Sequence, residues 1–95
     1  MAYFVYILEC SDKSLYTGFT TNVERRLLEH NSKKGGAKSI RGKLPAKLVY
    51  KESCETVSQA LKRENEIKGW SRNKKLRLIE SIKALTLRSE ATKRR

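Results

Sequence analysis

Ninety-five residues allow one domain with a single modest core, and 38% hydrophobic against 34% charged residues is the balance of a folded chain rather than a disordered tail. No apolar run approaches the ~20 residues that span a bilayer, and no basic stretch leads into a cleavage site of the secretory kind. A formal net charge of +12 excludes a neutral bystander surface and calls for a polyanionic partner.

The two cysteines, Cys10 and Cys54, are far apart and share a single histidine, which argues against a zinc site or a disulfide framework. Two reduced thiols place the chain in the cytoplasm. The charge is clustered. Lys33, Lys34, Lys38, Arg41, Lys43 and Lys47 follow one another with no acid between, and so do Lys68, Arg72, Lys74, Lys75 and Arg77. A membrane-binding helix would set such charge against an aromatic face. The first basic segment is instead glycine-containing and aperiodic, so nucleic acid is the expected partner and no membrane is.

In chain order, Tyr3 to Cys10 is apolar on both alternating sets, Tyr3, Val5 and Ile7 on one and Phe4, Tyr6 and Leu8 on the other. That pattern predicts a strand interior to a sheet. Ser11 to Ser14 is turn chemistry, and Leu15 to Thr20 returns as the second strand of a hairpin. Thr21 and Glu24 form a capping box that opens a helix to about Asn31. Ser32 to Pro45 reads as a basic loop, followed by a third strand around Lys47–Lys51. Thr56 and Gln59 open a second helix that ends with Gly69 at the C′ position. Ser71 caps a last helix with Leu76, Ile79 and Ile82 as its apolar stripe. The order ββαβαα predicts an α+β domain over residues 1–85, a small three-stranded antiparallel sheet flanked by helices, and residues 86–95 form a basic, frayed tail.

Some polar residues sit oddly on this scaffold. Val23, Arg26, Leu27 and His30 share one face of the first helix, turning Arg26 and His30 toward the sheet, whereas Arg25 pairs with Glu29 at the surface. In the second helix, Val57, Ala60, Leu61, Glu64, Ile67 and Lys68 share a face, with Glu64 in mid-stripe. A buried carboxylate needs a partner. A salt bridge from Arg26 or another basic residue satisfies Glu64 structurally, and a metal ion satisfies it functionally. Tyr6, Tyr16 and His30 likewise read as core aromatics and a hydrogen-bonded packing histidine, or as parts of a reactive site.

Their order along the chain resembles the GIY-YIG nuclease superfamily, in particular its small, stand-alone bacterial branch. Phe4-Val5-Tyr6 stands for the first tripeptide and Tyr16-Thr17-Gly18 for the second. The helix-borne arginine matches Arg26 in "NVERRLLEH", the residue one turn later matches His30, and the glutamate matches Glu64 in "ALKRENEIK". The resemblance covers roughly Tyr3 to Leu78. Phe4 replaces the first glycine, Thr17 the central isoleucine, and Phe19 the lysine that some members carry after the second glycine.

The resemblance implies a metal-dependent endonuclease that hydrolyses phosphodiester bonds in DNA, in repair or recombination. It implies Tyr6, Tyr16, Arg26, His30 and Glu64 as catalytic residues. One divalent ion, magnesium or alternatively Mn2+, would sit on Glu64, since Mg2+ commonly binds through one carboxylate and keeps several waters. Arg26 would grip the phosphate as a charged fork. A tyrosine, Tyr6 slightly ahead of Tyr16, would take the proton of the attacking water, and His30 would orient a tyrosine or touch phosphate. Gly18 would let substrate approach the backbone closely. Lys33, Lys34, Lys38, Arg41, Lys43, Arg72, Lys74 and Lys75 would hold the nucleic-acid backbone in a sequence-independent, salt-sensitive way, DNA before RNA. With no room for a recognition domain, substrate shape or a protein partner would supply specificity. The alternative is a nucleic-acid-binding module that keeps the fold and cleaves negligibly.

Overall fold

The computed structural model describes residues 2–32 and 38–81; the expectations for Lys33, Lys34, Ile82 and the tail from 86 lie outside that range. A strand with two apolar faces belongs in the middle of a sheet, and β1 (Tyr3–Glu9) is the central strand of an antiparallel sheet of order β2-β1-β3. β2 (Leu15–Thr20) pairs with one edge of β1, setting Tyr6 opposite Gly18 and Leu8 opposite Tyr16. β3 (Lys47–Cys54) pairs with the other edge, with a register shift between Ile7 and Leu8. It runs three residues past the expected Lys51, because Ser53 and Cys54 continue the ladder against Phe4 and Tyr3.

The hairpin turn is tied locally. Lys13 takes a left-handed φ of 72°, Lys13 N–H donates to Cys10 O at 2.9 Å, and Asp12 Oδ1 accepts from the Ser14 hydroxyl at 2.6 Å and the Ser14 N–H at 3.0 Å. The Ser14 bonds, with Lys43 nearby, hold the Asp12 carboxyl below its usual range.

α1 (Val23–Asn31) is capped by Asn22, whose side chain accepts from Arg25 N–H at 3.0 Å. Thr21, the expected cap, is displaced by one position, since Asn caps at least as well and fits the same turn. The basic loop holds more structure than expected: residues Lys38–Lys43 form a 3-10 turn, and Asn31 clamps its far end with both amide atoms on the Ala46 backbone, at 2.8 and 3.0 Å. α2 (Val57–Lys68) has Thr56 as its cap, accepting from Gln59 N–H at 3.1 Å. Gly69 is the C-cap itself, in right-handed backbone at φ −80°, so it does not supply the left-handed C′ residue. The last helix, α3, covers 72–81 within the described residues, and Ser71 Oγ accepts from Lys74 N–H at 3.2 Å.

β1 separates two packed layers. Val5, Ile7 and Tyr50 meet Ala60 and Ile67 of α2 and Ile79 of α3 on one side, with Leu15, Phe19 and Trp70 at the margin. Tyr6, Leu8 and Cys10 meet Ile40 and Ala46 on the other, with Tyr16 and Leu27 beside them. The architecture is therefore the expected α+β arrangement, helices on both faces of a three-stranded sheet. Cys10 and Cys54 are unbridged and belong to different layers. Among the described residues no helix is long and apolar enough to cross a membrane.

Candidate active site

The α1 side of the sheet carries a polar cluster that packing alone does not require. Tyr6 rises from the central strand with 2% of its surface exposed, and its hydroxyl lies 3.0 Å from Nε2 of His30, itself 1% exposed on α1. Tyr16, half-buried on β2, sets its ring edge-on to His30 at 5.3 Å between centroids and tilted to Tyr6 at 6.4 Å. Gly18, directly across the ladder from Tyr6, makes this possible. A Cβ there would lie 2.6 Å from the Tyr6 hydroxyl oxygen and 2.8 Å from Cζ. The room that Gly18 leaves is thus filled by the phenol, a different use from the backbone approach to substrate that the sequence suggests.

The electrostatics separate the two tyrosines. Burial pushes the Tyr6 hydroxyl up to about 12, the neighbouring Tyr16 adding to the rise, Arg26 opposing it, and the Glu64 carboxylate raising it slightly. Burial also lowers the His30 pKa, helped by the charge of Arg26 and opposed by Glu29. His30 is therefore a neutral imidazole at pH 7, sealed from solvent beside two phenols with Nε2 against the Tyr6 hydroxyl. The Tyr16 hydroxyl makes no hydrogen bond among the described residues, whereas that of Tyr6 meets His30 and is also acted on by the Arg26 guanidinium.

Arg26 and Glu64 approach this cluster from α1 and α2. Arg26, its side chain 29% exposed, donates from Nη1 to Glu29 Oε1 at 3.0 Å and acts on the Tyr6 hydroxyl. Glu29 is shared: Arg25 lies 3.9 Å from its other oxygen, so the expected Arg25 pair is the longer of two. Glu64 projects from α2, whose apolar residues Ala60 and Ile67 pack on the opposite layer, yet its charge is felt at Tyr6. Its side chain keeps 13% exposure and meets Lys68 Nζ at 3.3 Å. The apolar stripe of α2 is narrower than expected, since Val57 and Leu61 are each 41% exposed.

The basic residues have mixed placements. Arg41 and Arg72 are exposed, Lys75 is half-buried, and Lys74 lies over the Trp70 ring with Nζ 4.4 Å from its centroid. Lys43 pairs with Asp12 at 3.7 Å, which ties it to the hairpin turn, and Lys38 lies in the 3-10 turn. Phe19 packs into the α2 layer, so a lysine at that position would start from a half-buried, apolar site. Two further charged contacts involve residues outside the sequence-derived site. Lys68 holds Glu64, a contact readable from i, i+4 spacing. Arg63 joins α2 to β3 through Glu52, its Nε donating to both carboxylate oxygens at 3.1 Å, and no local pattern signals that pairing.

The GIY-YIG catalytic domain profile matches residues 2–77. The chain belongs to the GIY-YIG family. Within it, the chain is 57% identical over 77 residues to a UPF0213 protein of Syntrophus aciditrophicus, covering 81% of this chain and 88% of that one. It is 56% identical to a UPF0213 protein of Haloquadratum walsbyi, covering 82% and 86%. The relatives are thus small bacterial and archaeal chains. Two solution structures share the fold. A UPF0213 protein from Bacillus halodurans has a TM-score of 0.55 at 46% identity over 84% of each chain, and a protein from E. faecalis has 0.61 at 37% over 88% of each.

GIY-YIG nucleases are generally dependent on a divalent metal and act on nucleic acid. The residues here fit such an ion. Glu64 is a mostly enclosed carboxylate that already holds a cation, and among the described residues no group of three His, Cys, Asp or Glu gathers to form a closed cage. A single carboxylate suits a hard ion that retains most of its water shell, and it does not suit a structural zinc.

Proposed function

We propose that this GIY-YIG protein is a metal-dependent DNA endonuclease in which Tyr16, rather than Tyr6, takes the proton from the attacking water. The observation that carries the reading is the commitment of Tyr6: its hydroxyl is buried against His30, with a pKa pushed up to about 12, and is thereby withdrawn from base chemistry. Tyr6 and His30 then act as the fixed floor against which the Tyr16 ring is set edge-on. Arg26, permanently charged and 29% exposed, presents its guanidinium fork to the scissile phosphate and offsets the charge that develops on it. Glu64 would hold the divalent ion, which when bound supplies Lewis-acid stabilisation to the phosphate and to the departing 3′-oxygen. Arg41, Arg72, Lys74 and Lys75 grip neighbouring phosphates, and Lys33, Lys34, Lys38 and Lys43 are assigned to the same task. DNA is the preferred nucleic acid and Mg2+ the working ion, with Mn2+ able to replace it. Substrates are selected by shape, as branches, flaps or single-strand junctions, or through a protein partner, in repair or recombination.

The test is a nicking assay on supercoiled plasmid and branched DNA with Mg2+ or Mn2+. Tyr16→Phe, Arg26→Ala and Glu64→Gln each reduce cutting by about a hundredfold or more while the fold persists. Cutting that survives all three refutes the assignment. Salt-sensitive DNA binding without cutting on any substrate leaves the chain as a binding module.

A further inference from the structure

We propose that Lys68 couples metal binding to nucleic-acid binding: it is a resident counter-ion that releases Glu64 to the divalent ion and passes to a backbone phosphate. The inference rests on Glu64 as the metal ligand. Lys68 stands one turn after Glu64, with Nζ 3.3 Å from Oε2. The two partners differ in freedom. The Glu64 side chain is 13% exposed and held by the helix against the sheet, whereas that of Lys68 is 50% exposed. Ile67, fully buried, pins the same turn, and Gly69 N–H bonds back to Asn65 and Glu66 carbonyls at 3.2 Å. The backbone of Lys68 is therefore fixed while its ammonium swings on a four-carbon stem.

An exposed i, i+4 ion pair is ordinarily a minor surface contact, because water replaces either partner. Glu64 has little water to turn to, so its carboxylate keeps a cation. A divalent ion arriving at Oε2 cannot share that oxygen with an ammonium, since the two cations repel at contact distance. The ammonium moves outward and stays tethered one turn away. Ion plus carboxylate plus ammonium then carries two uncompensated positive charges, where the resting pair carried none. A DNA phosphate at the ion cancels one of those charges and offers the displaced Lys68 an anionic partner. Lys68 thus opposes the ion alone and favours ion and phosphate together. By linkage, the factor by which metal tightens DNA binding equals the factor by which DNA tightens metal binding.

Mn2+ binding to the full chain is followed by calorimetry and by paramagnetic broadening of the Glu64 amide signal. The wild type, Lys68→Met and Lys68→Arg are compared with and without a short phosphorothioate DNA that resists cutting. Without DNA, Lys68→Met binds Mn2+ about two- to fivefold more tightly than wild type, the size expected for losing one competing ion pair, and Lys68→Arg retains the wild-type affinity. With DNA the advantage disappears, so the coupling factor falls by the same two- to fivefold. Lys68→Met removes the partner of a mostly enclosed carboxylate and melts somewhat lower, so the affinities are compared well below every Tm, where all three forms are folded. Equal or weaker Mn2+ binding in Lys68→Met, or an unchanged coupling factor, overturns the inference and leaves Glu64 a metal ligand. Mn2+ binding that persists in Glu64→Gln, or is absent from every form, overturns the ligand assignment and this inference with it.

Discussion

Replacing Gly18 with alanine probes the packing on which the candidate site rests. The new methyl would sit 2.6 Å from Tyr6 Oη, 2.8 Å from Tyr6 Cζ and 3.2 Å from Tyr16 Cε2. Carbon contacts normally settle near ~3.5–4.0 Å, so the overlap with Tyr6 is about 1 Å. Tyr6 has no free volume into which to retreat, being 2% exposed and bonded to His30 at 3.0 Å. Overpacking of this kind costs about 1–3 kcal/mol. If the ring moves instead, the hydrogen bond is lost at about 1 kcal/mol and a buried imidazole nitrogen is left without its partner. Alanine returns about 0.5–1 kcal/mol through its lower backbone entropy in the unfolded chain. The net loss is about 1 kcal/mol, or a fall of roughly 4–8 °C in Tm for a domain of this size. Urea unfolding by linear extrapolation reads it directly. In a Tyr6→Phe background the nearest clashing atom is gone, so the same substitution costs at least ~0.5 kcal/mol less. A Gly18→Ala protein within about 0.5 kcal/mol of wild type would refute the account of why this position is glycine.

Other outcomes follow from particular contacts. His30 has a folded-state pKa below its ordinary 6.5, so its contribution to stability is complete above that value and is lost as pH falls toward the folded pKa. The urea midpoint should therefore drop from about pH 7 to about pH 5 in wild type and flatten in His30→Gln; parallel profiles would remove His30 as the cause. Asn22→Ala should cost about 1 kcal/mol and Thr21→Ala under about 0.5 kcal/mol, and the reverse order in thermal melts would return the cap to Thr21. Thr17 Oγ1 is buried with no hydrogen-bond partner among the described residues, so Thr17→Val should stabilise by about 1 kcal/mol; a lower Tm would show that the hydroxyl is satisfied in solution.

What the chain disclosed in advance depended on whether the signal was local. β1 was readable as central because both of its alternating sets are apolar, a property of eight consecutive residues. The full length of β3 was not, since Ser53 and Cys54 extend it only by pairing with Phe4 and Tyr3 some fifty residues away. Thr21 and Asn22 are adjacent, equally competent caps, and the choice between them is made by how the chain leaves β2 rather than by the box pattern alone. Helical spacing correctly turned Arg26 and His30 inward. It could not tell that His30 is sealed beneath both tyrosines, because that depends on the space opened by Gly18 on a neighbouring strand. For the same reason the sequence sets Tyr6 slightly ahead of Tyr16 as the base, with nothing local to signal that the Tyr6 hydroxyl is buried.

The partition made by β1 has a consequence for how this small chain responds to ligands. Arg26 and His30 ride on a helix seated in one compartment, whereas Glu64 rides on a helix seated in the other. The two helices therefore hold the sheet through separate sets of contacts. If DNA is held at both Arg26 and Glu64, as proposed above, it ties the two layers together, and amide exchange in α1 and α2 slows in concert.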